Sequence, residues 1–362
     1  MAYHTTPYLL LFLPAALLFY QITPAKWRSY TLLIFSYLFF WSFSEKLIIY
    51  LIGTTFLTHH ICIWMDTMDK RDKRKKRVFQ LGILLLLGTI LCLKYRNFFF
   101  GNVSKLAMVL HIDWSYQDQL IFLPIGISFY TLSAIGYMAD VYWGKVKAEY
   151  SLVKTALFLG FFPVIVEGPI CRWEDVEDTL FKNESVKAEN VFKGCYRIIW
   201  GLFKKMIIAD RLAVLVDKVY VGYESYSGAV IVVAAISYTI QLYMEFSGCM
   251  DMVIGSAGLF GIRLPENFSQ PFFAKNAAEF WRRWHITLGV WFKNYIFYPV
   301  SISKTARKWN KFTRKHFKGD FGKYVARMGI AAMALFAVWI SNGLWHGPKW
   351  NYIFYGLYYF GL

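Results

Sequence analysis

Two of the seven histidines stand in settings where an imidazole could do chemistry. His285 closes the stretch "FWRRWH", and His346 lies in "SNGLWHGP", each beside a tryptophan and each in a strongly apolar neighbourhood. The other five, His4, His59, His60, His111 and His316, lack such settings. A neutral imidazole, with an unperturbed pKa of about 6.5, can take the proton of a bound hydroxyl near neutrality. A single histidine on an aromatic helix face is more often a packing residue, so it is the recurrence of the pattern that points to a reaction. Competing chemistries lack their residues. Zinc wants three or four ligands, and no H-E-x-x-H or Cys/His cluster is present. A serine nucleophile would want G-x-S-x-G, and Gly126-Ile127-Ser128-Phe129-Tyr130 has no second glycine. What remains is a histidine base acting directly on a bound hydroxyl, with no metal and no bound cofactor.

The elements that must hold these groups are membrane helices. Of 362 residues, 57% are hydrophobic and 17% charged, well to the apolar side of a soluble domain. Apolar blocks recur at 8–20, 30–43, 47–65, 78–93, 121–138, 152–166, 230–244 and 325–340. Several fall short of the ~20 residues of an upright span, which predicts tilted, re-entrant or neighbour-buried segments. The first block has no basic region before it and no small-residue cleavage site after it, so it reads as a retained span. The fold class is therefore an all-α, polytopic membrane protein.

The net charge of +17 is concentrated in loops. "DTMDKRDKRKKR" (66–77) carries seven Lys/Arg and the stretch from Ser301 to Lys323 carries eight. Placing the first of these and the short link with Lys26 and Arg28 in the cytoplasm puts the N-terminus outside, and the second stretch should face the cytoplasm as well. Such clusters set topology and touch anionic lipid, or else dock an acidic partner or a phosphate-bearing donor. No nucleic-acid fold accompanies the charge. The five cysteines, Cys62, Cys92, Cys171, Cys195 and Cys249, are scattered and read as packing residues.

Asn276 and Glu279 form a capping pattern that predicts a helix from Ala277 to the region before Pro299, with Trp281, Trp284 and His285 on one face and Arg282 turned partly elsewhere. Asn342 lies one turn before His346. "GFFPVIVEGPICRWEDVEDTL" (160–180) is broken by Pro163, Gly168 and Pro169 and reads as a cavity wall. "VFKGCYRIIWGLFKKMIIADRL" (191–212) reads as an interfacial amphipathic helix. Glu245 and Asp251 are carboxylates in an apolar segment. They are either functional or paired for structure with an arginine such as Arg172 or Arg282.

Several stretches, among them "LPIGISFYTLSAIGYMADVYWG", "FFPVIVEGPICR", "EFSGCMDMVIG", "FGIRLPENFSQPF", "FWRRWHITLGVWFKNYIFYP" and "SNGLWHG", resemble successive motifs of the membrane-bound O-acyltransferase (MBOAT) family. They are most similar to its bacterial branch of alginate O-acetyltransferases and teichoic acid D-alanyl transferases. The resemblance implies a single membrane domain over residues 1–362, a helical bundle around a central tunnel. The donor would be a cytoplasmic thioester, acetyl-CoA or a phosphopantetheinyl carrier protein. The acyl group, most naturally acetyl, would go to an extracytoplasmic polysaccharide hydroxyl or to an SGNH-type partner that completes the transfer. By the same resemblance His346 is the catalytic base and His285 its polar partner, with Asn342, Trp345, Trp281, Trp284, Arg282, Glu245, Asp251 and Arg172 in supporting roles. Two departures are Glu245, where the alginate-type pattern more often has aspartate, and Cys249-Met250 ahead of Asp251. The chain stops at Leu362, where family members usually continue, which makes it either a truncated chain or a short member. A reading from another class is a polysaccharide transporter or flippase with Glu245, Asp251 and Arg172 along its path. Location in the bacterial cytoplasmic membrane follows from either.

Overall fold

The computed structural model describes residues 2–362, and every regular element in it is helical. The one β-type pairing among those residues is an isolated antiparallel bridge between Phe268 and Trp284. The N-terminal half runs through α1 (Leu13–Ile22), α2 (Arg28–Ser44), α3 (Ile48–Asp66), α4 (Lys73–Ile90), α5 (Arg96–Val109), α6 (Ile127–Trp143), α7 (Leu152–Gly160) and α8 (Trp173–Leu180). The C-terminal half adds α9 (Ala188–Leu202), α10 (Asp210–Val221), α11 (Gly228–Leu259), α12 (Ala277–Arg283), α13 (Ile286–Phe292), α14 (Tyr298–Ser301), α15 (Lys304–His316), α16 (Gly319–His346) and α17 (Trp350–Gly361).

Four helical runs are long and apolar enough to cross a bilayer: Ala25–Asp66, Lys73–Val109, Gly228–Leu259 and Gly319–His346. In the apolar windows of the last two only 11% of residues are buried by protein, so their remaining apolar surface suits lipid. Two of the anticipated blocks are enclosed instead. The block at 121–138 becomes helical only at Ile127, because Gly126 takes a left-handed turn (φ 79°) whose missing side chain would otherwise strike the Ile165 carbonyl. The block at 152–166 is helical only to Gly160 and then turns. Both pack into an aromatic core where Phe162 meets Tyr8, Phe12 and Phe39.

The 191–212 stretch is not a helix lying free on the interface. It forms α9 and a wide-turn segment, Phe203–Ala209, that pack along α11. Three of its five cations turn inward because α11 and the following loop carry the acids, while Lys193 and Arg211 stay exposed. Arg197 and Lys204 both bind Asp251, at 3.1 and 2.6 Å, Arg197 also binds Glu266, and Lys205 binds Glu245 at 2.8 Å. Helix α15 keeps its basic side chains outward while Ala306 and Thr313 are buried on its α16 side.

Candidate active site

The predicted 277–298 helix exists only in pieces. Asn276 caps its start as expected, accepting the Glu279 N–H at 2.9 Å, while the Glu279 carboxylate takes the Lys275 N–H at 2.8 Å. The helix then breaks at Trp284-His285, where His285 adopts left-handed backbone angles (φ 45°, ψ 54°). Such a conformation costs a non-glycine residue roughly 1–2 kcal/mol per residue and persists only where the surroundings enforce it. The enforcing residue is Asn267, which is fully buried. Its backbone carbonyl accepts the Ile286 N–H at 2.9 Å, and its side-chain Oδ1 accepts the Thr287 N–H at 3.1 Å, so Asn267 supplies from a distance the cap that α13 needs after the break. His285 is thereby turned inward, 6% exposed, with its Nδ1 3.0 Å from Asn267 Oδ1.

His346 arrives from the other direction, at the last turn of α16. Its ring stacks on Tyr352 (5.8 Å between centroids) and meets Tyr355 edge-on at 5.5 Å, both on α17. Helices α16 and α17 approach closely because Gly343 has no side chain; a Cβ there would lie 2.3 Å from the Tyr352 carbonyl oxygen. Trp345 touches both imidazoles, its ring centroid 5.8 Å from that of His285 and 5.1 Å from that of His346.

The two histidines line one cavity of about 810 Å³ together with Asn342, Trp281 and Trp284. Its walls are otherwise mostly aromatic and aliphatic, which excludes water and strengthens polar contacts made inside. Several buried polar atoms here have no partner: His285 Nε2, Asn342 Oδ1 and Trp345 Nε1. Buried polar atoms in a folded protein are ordinarily paired. An unsatisfied cluster around two imidazoles is a site prepared for a polar ligand.

The remaining sequence candidates lie elsewhere. At the start of α8 the Arg172 guanidinium pairs with Glu174 and Asp175, and Asp175 also accepts the Arg172 N–H at 2.9 Å; Arg172 does not reach Glu245 or Asp251. Asp251 and Glu245 serve the ion pairs that tie α9 and the Phe203–Ala209 turn to α11, and Arg282 is exposed. The three charges proposed for a transport path thus belong to separate ion-paired groups. The irregular 161–172 segment does not line the cavity but braces it from behind: the Ile170 N–H donates to Thr287 Oγ1 at 3.0 Å.

Lys94 went unnoticed in the sequence. It lies in a wide helical turn, Leu91–Tyr95, inside a membrane-length run, and its ammonium donates to the Trp345 carbonyl at 2.6 Å and to Ser128 Oγ at 3.4 Å. Wide turns inside α-helices are frequent at functional sites. It has no carboxylate partner among the described residues. A cation on the last carbonyls of α16 completes that helix's negative end and fixes His346. Lys94→Met, which keeps the length and removes the charge, should lower turnover at this site about tenfold, in the range expected for losing a charge-assisted hydrogen bond. Product formed per membrane-inserted chain measures it, and an unchanged rate would remove Lys94 from the site.

A family model described as MBOAT, membrane-bound O-acyltransferase family, matches residues 147–362. A probable alginate O-acetylase of Pseudomonas putida is 32% identical over 359 residues, 99% of this chain and 69% of its own length. A peptidoglycan O-acetyltransferase of Helicobacter pylori is 28% identical over 98% of this chain and 68% of its own length. A teichoic acid D-alanyltransferase of Bacillus subtilis is 29% identical, over 65% of this chain and 56% of its own length. The chain spans about two thirds of the length of the alginate-type relatives it matches (64% in the Pseudomonas aeruginosa case).

Proposed function

The chain belongs to the membrane-bound O-acyltransferase family, and from that membership we propose that it passes an acetyl group from a cytoplasmic thioester towards a polysaccharide hydroxyl outside the cell. The observation that carries this reading is the meeting of His285 and His346, with unpartnered polar atoms, in one aromatic-walled cavity. In the reaction His346 takes the hydroxyl proton as the oxygen attacks the thioester carbonyl. The new C–O bond forms, the C–S bond breaks, and the departing thiolate takes the proton from the imidazolium. Donor and acceptor held together in a dry cavity gain further through proximity. A volume of about 810 Å³ is within the size of a small-molecule site and far exceeds an acetyl group, which leaves room for a donor arm and part of an acceptor.

Acetyl is preferred to D-alanyl because the acetyl-transferring relatives align over 98–99% of this chain and the D-alanyl relative over 65%. The donor is acetyl-CoA or an acylated carrier protein, and an SGNH-type partner would accept the group where the polymer itself does not enter. The location is the bacterial cytoplasmic membrane with the N-terminus outside. Supporting this, the Lys73–Val109 run and α16 both begin at basic clusters, and Lys94 and Trp345 lie roughly 32 and 39 Å along them at about 1.5 Å per residue. Their contact supports a reading with the two clusters on one side, where α15 would present its cations to anionic lipid or an acidic partner. Deleting the gene should remove base-labile acetyl esters from the surface glycan, and returning the full chain should restore them. Mass analysis of the released glycan checks this, and an unchanged ester content sinks the proposal.

A further inference from the structure

The hydrogen bonds around Asn267 decide which nitrogen of His285 faces the cavity. The Thr287 backbone N–H can only donate, so the Asn267 side-chain atom 3.1 Å from it is the carbonyl oxygen, not the amide nitrogen. Thr287 Oγ1 receives the Ile170 N–H and passes its own hydrogen to the same oxygen at 2.9 Å. Three segments, at 170, 267 and 287, thus fix the amide, and its NH2 turns away to Met250 Sδ at 3.2 Å. His285 Nδ1 lies 3.0 Å from an atom that can only accept, so Nδ1 must carry the hydrogen. A neutral imidazole then has a bare lone pair on Nε2, the buried atom without a partner.

We infer that Asn267 is a positioning residue that locks His285 as the Nδ1–H tautomer, so that Nε2 receives a hydroxyl of the acceptor and cannot hold the carbonyl oxygen of the acyl donor. An Nε2 lone pair repels a carbonyl oxygen and binds a group that brings a proton. The reacting hydroxyl gives its single proton to His346, so the group at His285 is a second hydroxyl. The site therefore fits an acceptor carrying neighbouring hydroxyls, as a sugar ring does. That role rests on the acyl-transfer reading; the tautomer does not.

The test uses the full chain labelled with 15N-histidine in phospholipid vesicles, the His285 signals being identified by their loss in His285→Gln. The wild-type chain should show a protonated Nδ1 and a bare Nε2, and the opposite tautomer would overturn the inference. In cells lacking their own copy, Asn267→Leu at equal membrane level should cut surface O-acetyl ester at least tenfold and release the tautomer lock. Asn267→Asp offers an acceptor oxygen to the same three donors, so it should keep Nδ1–H and recover ester to within about threefold of wild type. Unchanged ester in Asn267→Leu overturns the role, as does Asn267→Asp keeping the tautomer while losing as much ester as Asn267→Leu. A wild-type chain that forms no ester sinks the acyl-transfer reading instead, and the spectrum still decides the tautomer.

Discussion

His346→Ala should abolish detectable O-acetylation while the chain still reaches the membrane at its normal level. Positioned general-base help is worth on the order of 100 to 10,000-fold, or about 3–5 kcal/mol of barrier at 1.36 kcal/mol per tenfold. The fold has little to lose by comparison. The His346 side chain makes no hydrogen bond among the described residues, faces the cavity, and has ring contacts with Trp345, Tyr352 and Tyr355. The α16–α17 contact rests on Gly343 and Gly356 rather than on the imidazole. Surface ester content set against an immunoblot of membranes separates the two effects. Ester persisting at wild-type level in His346→Ala would end the case for His346 as the base.

How much of this was legible in the sequence follows from how local each signal is. The apolar blocks are properties of single segments, and the four membrane-length runs lie over such blocks. The two histidines carry their aromatic context with them in "WRRWH" and "GLWHG". Ion-pair partners are different, because they depend on which helices pack together. Lys204 was visible only as an amphipathic cation, and nothing local says that Asp251, 47 residues on, lies 2.6 Å from it. Wide helical turns leave no periodicity to read, so Lys94 passed as an ordinary lysine in "LCLKY". Asn267 stood in view within "LPENF", yet its role needs Ile170 and Thr287 brought to it by the fold. The left-handed His285 is the same case. The capping pattern at 276–279 predicts an unbroken helix up to Pro299, and the remote cap from Asn267, with the Phe268–Trp284 bridge beside it, makes the break tenable.

The second large effect follows from that break. His285→Ala should lower O-acetylation on the order of 100-fold, and the double variant with His346→Ala should be no worse than His346→Ala alone, within about threefold. The two imidazoles share one cavity and both touch Trp345, so they stabilise one transition state, and residues that act as a unit are strongly non-additive. Removing the acceptor-orienting nitrogen matters only while a base is present to take the proton. If each histidine instead served a separate step, for instance one admitting the donor and the other releasing product, the losses would multiply and the double variant would fall by the product of the two. Ester content of the single and double variants, measured at equal membrane levels, therefore reports whether the cavity works as one catalytic unit. Because His285 also fills space against Phe246, at 4.9 Å between ring centroids, His285→Gln provides the control that keeps bulk. It should remain at least tenfold impaired, since its amide oxygen stands on a flexible chain where the ring nitrogen is held in place by Asn267, and recovery to the wild-type level would show that any acceptor of that bulk suffices.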